Sequence, residues 1–227
     1  MYDILTSFFR TINSFLAAGI AILAFSLLLY ALSFNLRDRV ARSFALILTC
    51  VMVVFVGEAL SSVSKTSEQL EFWLRFQWIG IIFLPVNYLL FSDAVLSTTG
   101  RPSRGRRVLL NQVAGLASFV LLALLPTSYL VGALVVPAIP APHLERTWLT
   151  WVFALFYAAA MVLSWVNFWR AIKRTVTRTS RRRMSYLIVG SLAPALGSYP
   201  YLLFGSNFAE VAPLIFWIAV TLSNLLV

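Results

Sequence analysis

The stretch from Arg170 to Arg183 reads RAIKRTVTRTSRRR and holds seven of the chain's eighteen Lys and Arg residues. Long apolar runs lie on both sides of it. Two earlier connections have the same character, one with Arg37, Arg39 and Arg42, the other with Arg101, Arg104, Arg106 and Arg107. The segments that alternate with them carry only Arg10, Lys65 and Arg146, while Arg75 lies inside an apolar run. Short loops rich in Lys and Arg remain cytoplasmic during insertion. The alternation therefore predicts a chain that weaves through a bilayer, with its N-terminus outside and its C-terminus cytoplasmic.

Composition supports the same class. The 227 residues are 60% hydrophobic and 11% charged, with a mean hydropathy of +0.87. A soluble domain carries about 25% charged residues. The net charge of +10 falls where topology and anionic inner-leaflet lipids account for it. A basic patch without a reading element does not point to nucleic acid. The start of the chain has no basic segment before its first apolar run and no small-residue cleavage site, so the first helix is expected to be its own insertion signal.

A spanning helix needs about 20 mostly apolar residues. Seven runs qualify, at about 11–34, 43–63, 72–96, 108–131, 147–169, 184–204 and 211–227. The expected fold is an all-α, seven-helix membrane bundle forming one domain over residues 1–227. Trp148 and Trp151 sit at the outer end of the fifth run, and Trp165 and Trp169 near its inner end, as interfacial aromatic belts require. The outer segment from Gly132 to Arg146 contains Pro137, Pro140 and Pro142, which preclude a helix. Val135, Val136 and Ile139 in that segment are expected at the interface. The last run ends in apolar sequence, Ser223 to Val227, with no cationic flank. Its end is expected at the cytoplasmic face, with an output domain absent from these residues.

Polar groups within a bilayer are costly and are read first as functional candidates. Glu58 and Arg75 lie at similar depth near the outer ends of the second and third runs, which makes an ion pair between them geometrically open. The third run is the most polar. Trp73, Gln77, Gly80, Leu84, Asn87 and Phe91 share one helical face. Its amides either hydrogen-bond to neighbouring helices or line a pocket. Pro85 frees the carbonyl of Ile81. Asp93 is expected as a solvated carboxylate near the basic loops, and Cys50 as a small lipid-facing or helix-facing residue. The sixth run holds Gly190, Pro194, Gly197 and Pro200, a pattern for a kinked helix, with Tyr199 and Tyr201 toward its outer end. The candidate pocket lies in the outer half between the second, third, fifth and sixth helices. Its candidate ligand-binding residues are Glu58, Arg75, Gln77, Trp78, Asn87 and Tyr199.

Several chemistries are excluded. His143 is the only histidine and lies in an outer loop, so bis-histidine haem and His-based metal sites cannot be built. A single cysteine supports neither a disulfide nor a Cys-based metal site. No Walker-type phosphate loop occurs, and no base stands near a serine. No cofactor and no catalytic residue is expected.

The stretch Phe72 to Phe91, FWLRFQWIGIIFLPVNYLLF, resembles the third helix of the N-terminal seven-transmembrane-helix region of bacterial sensor histidine kinases. Gly190, Ala193-Pro194, Tyr201 to Gly205, and Ala212-Pro213 to Phe216 resemble the end of that region, and Glu210 matches an acidic residue that often precedes the proline of its last helix. The resemblance covers essentially the whole chain and implies a sensory or anchoring module in the bacterial cytoplasmic membrane. In that module the seventh helix relays an extracytoplasmic or membrane signal to a cytoplasmic output domain. The implied kinase motifs are absent from these residues. The expected partners are the bilayer, anionic inner-leaflet lipids, and a second copy or a membrane-complex partner. The alternative is a structural or accessory subunit of a larger membrane complex. A transporter fits less well, since the broken sixth run has no counterpart in the first half.

Overall fold

In a computed structural model of the chain, the described residues are 2–34, 37–100, 103–136, 142–175, 182, 185, 186 and 213–227. They form helices α1 (Tyr2–Phe34), α2 (Arg39–Val63), α3 (Ser67–Thr98), α4 (Arg106–Leu124), α5 (Trp148–Arg174) and α6 (Pro213–Leu226), with strands β1 (Val131–Val135) and β2 (His143–Arg146) between α4 and α5. Five of these helices, α1 to α5, are long and apolar enough to cross a bilayer. The expected sixth run, with Gly190, Pro194, Gly197, Tyr199, Pro200 and Tyr201, lies outside the described residues, as does Glu210.

Local chemistry sets the helix starts. The Asp38 carboxylate accepts from the Val40 amide at 3.1 Å, and the Thr66 hydroxyl accepts from the Gln69 amide at 3.3 Å. Thr147 and Thr150 form a reciprocal capping box on α5. Gly105 enters α4 at a φ of 57°, a left-handed conformation that glycine adopts without a Cβ clash.

α3 is the central element. It packs against α2, α4 and α5, while α1 packs against α2 and α6. The face of α3 read from the sequence turns toward α2. A Cβ added to Gly80 would stand 2.6 Å from the Cys50 carbonyl oxygen and 2.8 Å from Val54 Cγ2, so the two backbones meet because no side chain intervenes. Small residues commonly permit such approaches between membrane helices. Farther along the face, Phe91 meets Phe44 of α2 and Phe168 of α5, at ring separations of 5.9 and 5.7 Å. The outward faces of α1, α4 and α5 expose Phe15, Leu116 and Leu155 among other apolar side chains, as lipid contact requires. α3 continues through Pro85, and Ser118 of α4 donates to the Ile82 carbonyl at that turn, at 3.0 Å.

Three expectations are corrected. α4 stops at Leu124, short of the expected Val131. Pro126 lacks the amide needed to extend the ladder, and short turns follow, with the Leu125 amide on the Leu122 carbonyl and that of Thr127 on Leu124. The outer segment is partly an antiparallel hairpin, pairing Val131 with Arg146, Leu134 with Leu144 and Val135 with His143. The bundle itself is all-helical, as expected, and the hairpin is a short connection between two of its helices. The end of the chain is also not level with the basic loops. Asn224 of α6 donates to Asn13 of α1 at 2.7 Å, and α1 continues from there to Phe34, about 30 Å farther at 1.5 Å per residue.

The basic connections gather at one end. Asp93 of α3 reaches Arg107, just after the start of α4, at 3.0 Å and Arg39, at the start of α2, at 3.9 Å. Asn167 of α5 donates to Ser92 at 3.1 Å, which puts Arg170, Lys173 and Arg174 at that same end. The hairpin caps the opposite end.

Candidate functional site

At the hairpin end, α1, α2, α3, β2 and α6 enclose a cavity of about 250 Å³. α2 presents Glu58, Ser61, Ser62 and Ser64, and α3 presents Leu74, Gln77, Trp78 and Ile81. α1 contributes Arg10, Asn13 and Ser14, which recur at the three- and four-residue spacing of one helical face. The hairpin adds Pro142, His143, Leu144 and Arg146, and α6 adds Trp217.

The hairpin is held in place by side chains outside the cavity. Arg75 of α3 pairs with Glu71 one turn back at 2.9 Å. Its guanidinium also donates to the Leu125 carbonyl at 3.0 Å and the Gly132 carbonyl at 3.3 Å. The Thr147 hydroxyl donates to the Tyr129 carbonyl at 2.6 Å, and that of Thr150 to the Leu130 carbonyl at 2.5 Å. Leu130, Val131 and Leu144 are thereby buried in the main core. These ties fix the wall formed by His143, Leu144 and Arg146.

Inside the cavity, Gln77 Nε2 donates to Glu58 Oε2 at 3.2 Å. Among the described residues, Glu58 Oε1 accepts no hydrogen bond. The hydroxyls of Ser61, Ser62 and Ser64 donate to carbonyls of their own helix, those of Glu58, Ala59 and Leu60. Their oxygens keep lone pairs for a guest. Arg146 stands over the Trp151 ring at 5.8 Å. Burial pulls its guanidinium below the usual arginine range, to about 10. The site can bind and orient a polar guest.

Of the residues predicted from sequence, Glu58, Gln77 and Trp78 line this cavity. Arg75 does not, and the open Glu58–Arg75 pair is replaced by Arg75–Glu71. Depth matches in the two residues, but rotation does not. Arg75 and Gln77 are about 200° apart around α3 at 3.6 residues per turn, so facing Gln77 toward α2 turns Arg75 away. Asn87 lies deeper in the α2–α3 seam, donating to Cys50 Sγ at 3.0 Å and to the Leu46 carbonyl at 3.4 Å. Cys50 is thus buried against α3. Tyr199 lies outside the described residues. Among the described residues, α1, the hairpin and α6 line the space with α2 and α3, and α5 does not; the expected sixth helix lies outside the described residues. Asp93 is corrected as well. It is buried, not solvated, and bound to the basic connections.

Arg10, Asn13, Arg146 and Trp217 were not singled out from sequence. For the first two a signal existed: Arg10 is the only cation near the N-terminus, and Asn13 follows it by three residues. Their helix start at Tyr2, ahead of the expected Thr11, is what brings them onto the cavity wall.

Residues 16–227 match the family described as the N-terminal 7TM region of histidine kinase. No curated protein matches the chain.

Proposed function

The chain belongs to the family of N-terminal 7TM regions of histidine kinases, and on that premise we propose that it is a non-catalytic input domain whose outer cavity takes a small guest and whose α6 passes the change on. The family region is the membrane sensory part and not the catalytic kinase part. The observation that carries the reading is the cavity's double contact with α6: Trp217 forms part of its wall, and the wall residue Asn13 holds Asn224 at 2.7 Å. A guest that prefers one packing of α1 against α6 shifts the balance between packings by its difference in affinity. The reading places the chain in the bacterial cytoplasmic membrane as one seven-helix domain. The hairpin end is outside, and anionic lipids or a partner contact the arginines inside. An output domain on the cytoplasmic side receives the change from α6.

The test is a distance measurement across that contact. Spin labels replace Phe15 on α1 and Leu222 on α6, both exposed, while the native Cys50 is buried. Double electron–electron resonance is recorded in lipid nanodiscs with separate pools of amino acids, sugars and organic acids. At least one pool is expected to shift the α1–α6 distance, and the cavity-filling variant Ser61→Trp to abolish that shift. No shift with any pool, or a shift that survives Ser61→Trp, contradicts the reading.

A further inference from the structure

A groove of about 410 Å³ opens on the outward side of the bundle where α2, α3 and α4 meet. It shares no lining residue with the outer cavity. Its wall is apolar, with Leu46 and Val53 of α2, Phe83 and Leu90 of α3, and Phe119 of α4. Leu46 and Phe119 are exposed, so the groove is open to whatever surrounds the bundle. Gly115 of α4 lies on it, and a Cβ added there would meet nothing within 4 Å. The volume falls within the roughly 300–1,000 Å³ of pockets that take a drug-sized ligand.

Length selects the occupant. Along α3 the lining runs from Ile79 to Leu90, about 16 Å at 1.5 Å per residue. One leaflet supplies half of a hydrocarbon core about 30 Å thick. Leu90 stands just before Asp93, which binds Arg107 and Arg39. The groove therefore begins beside the basic connections and is one leaflet long. A partner helix crossing the whole bilayer would need a seam about twice that length.

Polarity places the headgroup. Asn111 of α4 lines the groove, and its amide makes no hydrogen bond among the described residues. It lies four residues beyond Arg107, about 6 Å along the helix. The headgroup layer is about 5–8 Å deep on each side of the hydrocarbon, so an amide at this depth meets ester carbonyls rather than phosphates. Arg42 lies one turn before Leu46 on the groove face of α2. It is exposed and has no ion pair among the described residues. An anionic head answers that guanidinium, whereas a zwitterionic head brings its own cation to the same place.

We propose that this groove is a site for one anionic glycerophospholipid of the leaflet on the basic side. An acyl chain lies against Val53, Phe83 and Phe119, an ester carbonyl accepts from the Asn111 amide, and the phosphate pairs with Arg42. The proposal goes beyond the guest reading and rests only on its placement of anionic lipid at the arginines.

Native mass spectrometry of the full chain in detergent micelles tests it with three lipids. These are dioleoyl phosphatidylglycerol, dioleoyl phosphatidylcholine and the diether analogue of phosphatidylglycerol, which has no ester carbonyl. Saturable binding of a single phosphatidylglycerol is expected. Phosphatidylcholine should bind about fivefold more weakly, as one arginine near the surface implies, and the diether about threefold more weakly, as one hydrogen bond within a membrane implies. Gly115→Phe is expected to displace the lipid, and the open space at that position leaves room for the ring. Arg42→Gln should erase only the preference over phosphatidylcholine, and Asn111→Leu only the preference over the diether. A folding defect would weaken all three lipids together. Equal binding of the three, or phosphatidylglycerol binding that survives Gly115→Phe, overturns the proposal. A dimer that Gly115→Phe dissociates while lipid binding persists assigns the groove to a second copy and overturns it as well. The spin-labelled α1–α6 pair answers separately. A guest-induced shift without selective lipid binding overturns the lipid site and keeps the sensory reading. Selective lipid binding without any guest-induced shift supports the site and overturns the relay.

Discussion

At the end of α3 beside the basic connections, Asp93 is buried between Arg107 at 3.0 Å and Arg39 at 3.9 Å, and the adjacent Ser92 accepts from Asn167 while donating to the Leu89 carbonyl. At the hairpin end, Gln77 reaches Glu58 beside a cavity of about 250 Å³, and a carboxylate oxygen is left over among the described residues. Both ends place a carboxylate between packed helices. Asp93 lies between two arginines and ties the basic connections together, and Glu58 borders open volume. A buried carboxylate needs partners to offset its desolvation; Asp93 has Arg107 hydrogen-bonded to Oδ1 and Arg39 at 3.9 Å from an Oδ2 that accepts no hydrogen bond among the described residues, whereas Glu58 has the neutral Gln77 amide and open volume beside it. The comparison teaches that polar residues of one helix divide into those that hold the bundle and those that face a guest, and that burial and partner geometry tell them apart where sequence does not.

The largest effect should come from breaking the end of α3 beside the basic connections. Asp93→Ala removes the carboxylate between Arg107 and Arg39 and is expected to cost about 3 kcal/mol, the low end for a broken buried pair because Arg107 keeps some exposure. Unfolding in mixed micelles measures it, and a cost below about 1 kcal/mol, the worth of a surface pair, breaks the comparison. The seam between the two ends comes next. Gly80→Ala drives a Cβ toward the Cys50 carbonyl oxygen and is expected to cost about 1–3 kcal/mol, as overpacking does. Gly115→Ala in α4, with nothing within 4 Å of its added Cβ, should be close to neutral in the same assay. Asn87→Leu removes the donor to Cys50 and Leu46 and should cost about 0.6 kcal/mol, the average for interhelical hydrogen bonds in membranes. A small change is also expected at Arg39→Gln. Its pair with Asp93 is long and the arginine half-exposed, so the cost should stay under about 1 kcal/mol and fade with added salt.

Much of the framework was legible beforehand. The arginine-rich connections, the α3 face with Gly80 and Asn87, and the aromatic ends of α5 follow from periodicity and charge, because lipid imposes those patterns on every span. Rotation about a helix axis was harder to read. Depth alone paired Glu58 with Arg75, although Glu71 was already in place one turn before Arg75, at a spacing that favours ion pairs. The hairpin was hidden because its strands are short and the segment joining them is longer than a two-residue turn. Its prolines read as irregular chain, whereas Val131 to Val135 pairs back on His143 to Arg146. The cavity walls from Arg146 and Trp217 depend on that hairpin and on α6 packing, both set by long-range contacts absent from any local pattern.

The central claim is that Glu58, at the hairpin end, serves a guest and Asp93, beside the basic connections, serves the fold. The most direct measurement compares the unfolding free energies of Glu58→Gln and Asp93→Asn, each an isosteric loss of charge, in the same micelles without added ligand. The account predicts a clear loss for Asp93→Asn and little change for Glu58→Gln. An equal or larger loss for Glu58→Gln would contradict it, by showing that Glu58 too is part of what holds the bundle together.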